Sequence, residues 1–100
     1  MKIAAAAEAC EVNIAPHNFY GHLATMMNAH FAAAAPNLRI MEIDIDRLAW
    51  DDEVFTVSPH FENGHLVLPD TPGWGTEPNE EAVGARPPTR GGGLLPDRSP

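Results

Sequence analysis

Two short apolar runs, Val12-Asn13-Ile14-Ala15 and Leu38-Arg39-Ile40-Met41, bracket a segment in which Leu23, Met26, Met27, His30, Phe31 and Ala34 recur at helical spacing. Brevity and β-branching mark the runs as strands, and the three-to-four spacing marks residues 21–35 as an amphipathic helix. Pro16 ends the first strand because it lacks an N–H, and Pro36 with Asn37 ends the helix. The second strand extends over residues 38–46, where Glu42, Asp44 and Asp46 alternate with Ile43 and Ile45. Period-two alternation puts the three acids on one face. The order is strand, helix, strand, and in parallel α/β folds the loops leaving the C-terminal strand ends build the active site. His17 and Glu42 stand at those two ends.

The flanking segments have a different rhythm. Residues 2–10 are rich in alanine and read as a helix with no capping side chain ahead of it, as if the natural start lay upstream. Asp51-Asp52-Glu53 reads as a solvated acidic turn. Residues 61–69 predict a hairpin around Asn63-Gly64, a pair suited to a type I′ turn. Thr71-Pro72-Gly73-Trp74-Gly75 is a tight loop, and Asn79 caps a short helix over 79–85 with Glu80 and Glu81 in its first turn. Beyond Arg86 the composition falls to Pro, Gly, Arg and Ser, and residues 86–100 are expected to be a disordered tail.

Of the 44% apolar residues, 15 are alanine, so a chain of 100 residues has little bulk with which to build an independent core. The net charge of −8 excludes a nucleic-acid backbone or an anionic membrane as partner, since both require a surplus of Lys and Arg. Cys10 is the only cysteine, which excludes an internal disulfide and fits a cytoplasmic setting. It reads as a small packed hydrophobe.

His17 is a candidate general base, because imidazole titrates near neutral pH and a strand-end loop exposes it. His22 and His30 are eight residues apart on one helix, too far to share a metal, and read as packing or surface residues. His60 and His65 flank the hairpin turn. Glu42, Asp44 and Asp46 span roughly 13 Å along an extended strand, so they cannot all hold one Mg²⁺ or Ca²⁺. Gly91-Gly92-Gly93 has no strand before it and no helix after it, and is no phosphate cradle.

Taken together, the alanine-rich start, the run from Val12 to Asn18, Met41-Glu42-Ile43-Asp44, Phe61-Glu62-Asn63-Gly64-His65 and Pro69-Asp70-Thr71-Pro72-Gly73-Trp74-Gly75 resemble the C-terminal end of the mandelate racemase and muconate lactonizing enzyme branch of the enolase superfamily, above all its acid-sugar dehydratases. The resemblance implies an α/β fold: a C-terminal fragment of a modified TIM-type (β/α) barrel plus part of an α+β capping domain. Residues 1–47 would be the last two strands and helix of the barrel, 48–85 the hairpin and return segment of the cap, and 86–100 the tail.

It further implies that His17, past the seventh strand, is the acid or base of the reaction. Glu42, on the eighth, would hydrogen-bond the substrate carboxylate as it becomes an enediolate, and Asn18 would touch the substrate. Family chemistry is removal of the proton α to a carboxylate with Mg²⁺, then loss of a β-hydroxyl in the dehydratases. The family's Mg²⁺ ligands sit on strands that this chain does not contain, so no metal ligand is expected here. The expected partner is a small sugar acid or hydroxy acid, and the full-length enzyme is expected to be a homo-oligomer. A racemase or epimerase with the same histidine is the alternative, as is a non-catalytic remnant that associates with a partner.

Overall fold

The computed structural model describes residues 1–46 and 48–87; the expected tail beyond Pro87 and the Gly91-Gly92-Gly93 run lie outside the described residues. Helix α1 (Lys2–Ala9) is followed by α2 (His22–Ala34), α3 (Asp51–Val54), an antiparallel pair β1 (His60–Glu62) and β2 (His65–Val67), and α4 (Glu80–Gly84).

Alanine carries α1, and its end is closed in an unexpected way. Glu11 adopts φ 57°, its N–H bonds the Glu8 carbonyl at 2.9 Å, and the Val12 N–H bonds the Ala7 carbonyl at 2.8 Å. This is the Schellman arrangement, built with glutamate where glycine is usual. Cys10, expected to be packed, is the exposed C-cap of this helix. At a helix end its side chain has no second element to lie against.

The two strand runs meet, but only over a single parallel bridge, Ile14 to Leu38. The Ile14 N–H bonds the Asn37 carbonyl at 2.9 Å, the Arg39 N–H bonds the Ile14 carbonyl at 2.9 Å, and the Glu42 N–H reaches the Pro16 carbonyl at 3.4 Å. The expected strands over 12–15 and 38–46 are thus replaced by extended chain in parallel register. A parallel pair needs neighbours on both sides to form a full ladder, and Pro16 contributes no donor. Asn37 acts as more than a helix stop: its Nδ2 donates to the Ala4 and Val12 carbonyls, each at 3.0 Å, and so joins α1 to both extended runs.

Helix α2 follows the expected span and buries His22, Thr25, Met26, Ala29 and Ala32 at three-to-four spacing. The apolar core is small, consisting of Ala4, Met26, Ala29, Ala32, Ala35 and Val54. Large aliphatics remain outside it, with Ile3 at 85%, Ile40 at 66% and Ile45 at 86% exposure.

The acidic turn is the helix α3, because three acids in a first turn suit the positive end of the helix dipole. Gly21 permits its docking: a Cβ there would lie 3.0 Å from the Phe55 ring. The His22 ring packs 5.5 Å from Phe55. The hairpin pairs His60 with Val67, Phe61 with Leu66 and Glu62 with His65, and Asn63 (φ 50°) with Gly64 (φ 77°) forms the expected I′ turn. Buried Thr76 locks the return segment by donating to the Val57 carbonyl at 2.7 Å and accepting from its N–H at 3.1 Å. Trp74 then stands edge-on to His30, 5.6 Å between centroids, so the Pro/Gly loop rests on α2. Asn79 caps α4 as expected, accepting from the Ala82 N–H.

A left-handed residue with a Cβ costs roughly 1 to 2 kcal/mol, partly offset by the greater unfolded-state freedom of glycine. Glu11→Gly is therefore expected to stabilise the fold by about 0.5 to 1 kcal/mol, measured as a higher urea midpoint. A lower midpoint would show that the glutamate side chain does more than tolerate the turn.

Candidate functional site

The parallel bridge sets the site. It aligns the loop after Ile14 with the chain after Leu38, so that residues 24 positions apart meet above the same end of the pair. His17 and Glu42, predicted from sequence to share this end, are in contact: His17 Nδ1 lies 2.5 Å from Glu42 Oε2. Both side chains are open to solvent, at 68% and 47% exposure.

Glu42 Oε2 also accepts the Asn18 backbone N–H at 2.8 Å. That bond, followed by the neighbouring imidazole, holds the Glu42 carboxyl below its ordinary value of 4.5, against the opposing effect of partial desolvation. An ionised carboxylate can only accept. The proton in the His17–Glu42 contact therefore sits on Nδ1 in the neutral imidazole, and the lone pair at Nε2 is left for chemistry. The Tyr20 ring stands edge-on to His17 at 5.7 Å and forms an exposed wall beside it.

Asn18, expected at the substrate, has a side chain turned into the fold and completely buried. Its Nδ2 donates to Thr25 Oγ1 at 3.2 Å and to the Glu42 carbonyl at 3.1 Å, and its Oδ1 accepts from Asn28 Nδ2 at 2.9 Å. Sequence reasoning gave no role to Thr25 or Asn28. Their only signal was two polar residues three apart on a helix whose other polar residues are histidines.

Buried His22 places Nε2 2.7 Å from Asp52 Oδ1, which also accepts from Ser58 Oγ at 2.6 Å, tying α2 to α3 and the segment beyond it. His60 and His65 are exposed on the hairpin. Among the described residues no three His, Cys, Asp or Glu side chains gather as a metal site, and Glu42 is already engaged by His17 and Asn18. No helix of the described residues is long and apolar enough to cross a membrane.

The two extended runs, joined by one parallel bridge and connected through α2, bring a histidine and a carboxylate together at one end, the order of elements found in parallel α/β folds. Residues 1–82 match the family described as enolase C-terminal domain-like, and the chain belongs to that family, whose domain is a TIM-barrel-type α/β fold. A crystal structure from Burkholderia xenovorans, described as an L-alanine-DL-glutamate epimerase bound to magnesium and fumarate, is 68% identical, with a TM-score of 0.85 over 88% of this chain and 22% of its own. The D-xylonate dehydratase of Haloferax volcanii is 33% identical over 84 residues, 84% of this chain and 20% of that protein. The arabinonate dehydratase of Saccharolobus solfataricus is 36% identical over 75 residues, 75% of this chain and 20% of that protein. The chain thus spans about a fifth of the length of the curated relatives it matches. Its superfamily relatives include sugar-acid dehydratases and epimerases.

The lowered Glu42 carboxyl has a definite pH consequence. Its folded value lies below the unfolded one, so the stabilisation it contributes is complete above the ordinary value and is lost as pH falls through the folded value. A carboxyl-carbon NMR titration of Glu42 is expected to give a midpoint below 4.5. A midpoint at or above 4.5 would contradict the pairing.

Proposed function

We propose that this chain is the C-terminal part of a Mg²⁺-dependent, cytoplasmic sugar-acid dehydratase in which His17 removes the proton α to the substrate carboxylate. The observation that carries this reading is the contact between His17 Nδ1 and an ionised Glu42. It orients the imidazole and leaves Nε2 as the base. Nε2 takes the α-proton and the C–H electron pair passes into the enediolate. The imidazolium then returns that proton to the departing β-hydroxyl as water, leaving an enol that tautomerises to a 2-keto-3-deoxy acid. Glu42, as an acceptor, stabilises the imidazolium between the two steps, beside the role toward the substrate carboxylate that the resemblance implies for it. Asn18 positions both groups.

Magnesium supplies charge stabilisation to an enediolate when bound. The described residues of this chain do not fit it, since Glu42, Asp44 and Asp46 do not converge and Glu42 is spent on His17. Its ligands belong to the part of the family fold outside this chain, and the 100-residue chain should show no saturable Mg²⁺ binding by calorimetry. A tight stoichiometric site would overturn that division. In the same reading residues 1–47 are barrel and 48–85 are cap, and the whole enzyme is a homo-oligomer.

A second reading is supported by the epimerase description of the 68% identical structure. Both reactions begin with the same proton removal and part afterwards: an epimerase returns the proton to carbon, whereas a dehydratase loses the hydroxyl.

The test places this chain in a full-length family enzyme, in exchange for the matching C-terminal quarter, and follows sugar acids in deuterated water. Deuterium at C3 of a 2-keto-3-deoxy product, where the enol takes a proton from solvent, is the expected outcome; deuterium at the α-carbon with an intact β-hydroxyl selects the epimerase. His17→Asn is expected to lose the roughly 10²- to 10⁴-fold contribution of a general base and to abolish exchange, with substrate binding retained. Glu42→Gln, whose amide oxygen can still accept from Nδ1–H, should lose less and exchange slowly. An active His17→Asn enzyme would remove the assignment.

A further inference from the structure

We propose that Thr25 and Asn28, on the helix between the two extended runs, are positioning residues for the His17–Glu42 pair and act on it through the buried amide of Asn18. This rests on the reading of His17 as the base. The side chain of Asn18 has no contact with solvent, and its three polar valences are all used: Thr25 Oγ1 and the Glu42 carbonyl accept its two N–H groups, and Asn28 Nδ2 donates to its oxygen. The same residue gives its backbone N–H to the Glu42 carboxylate. Side chain and main chain of one residue thus grip the main chain and side chain of Glu42 respectively.

Thr25 and Asn28 set the plane of that amide from two sides. They lie one turn apart on α2, and each also reaches the loop that carries His17: Thr25 Oγ1 donates to the Tyr20 carbonyl and Asn28 Nδ2 approaches the His17 carbonyl, both at 3.5 Å. A change in this grip moves the Asn18 peptide, and with it the acceptor that fixes the proton on His17 Nδ1. Among the described residues the groups facing the Glu42 carboxylate are the His17 ring and the Asn18 N–H. A polar network that merely stabilised α2 would leave the protonation pattern of His17 unchanged when altered.

Thr25→Val keeps the shape and removes the hydroxyl, while Thr25→Ser restores it. The readouts are the ring nitrogen shifts of His17 and the carboxyl titration of Glu42 in the isotopically labelled 100-residue chain, with the His22 ring signals reporting that α2 remains docked on Asp52. Thr25→Val is expected to raise the Glu42 midpoint towards 4.5 and to move His17 from the Nδ1–H form towards the Nε2–H form, and Thr25→Ser is expected to return both. If Thr25→Val releases His22, Asn28→Ala at a less buried position repeats the measurement. Unchanged His17 and Glu42 signals in a docked variant would overturn the proposal. Failure of the functional reading would differ: the grafted enzyme would exchange no α-proton while these signals still answered to Thr25.

Discussion

The site depends on the satisfaction of one buried amide. A primary amide with no access to water must find partners for two donors and an acceptor, or forfeit about 1 to 3 kcal/mol for each group left bare. Asn18 finds them on α2 and on the chain after Leu38, the two elements that must be held together if His17 and Glu42 are to meet. The amide is directional, so it fixes geometry as well as energy. An apolar residue of the same size would fill the space and leave the two loops free to slide.

Around that centre the fold is thin. A core mainly of alanines offers little apolar area per residue, and hydrophobic stabilisation scales with the area removed from water. Much of the remaining cohesion is polar and specific. Asn37 binds two carbonyls, Thr76 closes on Val57, and His22 joins Asp52, which Ser58 also grips. Ile3, Ile40 and Ile45 stay in solvent. The matched members of the family are four to five times longer than this chain. The single-bridge ladder fits the rule that a parallel pair gains its regularity from neighbours on both sides.

The exposed His17 and Glu42 and the buried Asn18 differ in environment. The imidazole stands in solvent, and burial makes the amide rigid. The Asn18 N–H and the imidazole stabilise the carboxylate form of Glu42, and an acceptor next to Nδ1 decides which nitrogen is basic. Geometry and protonation state are set by the same few bonds.

Much of this was legible in the sequence because it depends on local rules. The spacing of Leu23, Met26, His30 and Ala34 specified α2, the Asn63-Gly64 pair specified the I′ turn, and Asn79 specified a cap. The placement of His17 and Glu42 at one end followed from strand, helix, strand order alone. The rest needed contacts between residues far apart in the chain. Nothing near Cys10 indicates that it would be exposed, or that Glu11 would take a left-handed turn to aim Val12 at Asn37. The acids 51–53 read as a turn until Phe55 docks beside Gly21 and His22 claims Asp52. The family resemblance makes Asn18 a substrate contact, and sequence does not show which way its side chain points. Direction was decided by Thr25, Asn28 and Glu42, 7, 10 and 24 residues away, whose hydrogen-bonding groups converge only when the chain is folded.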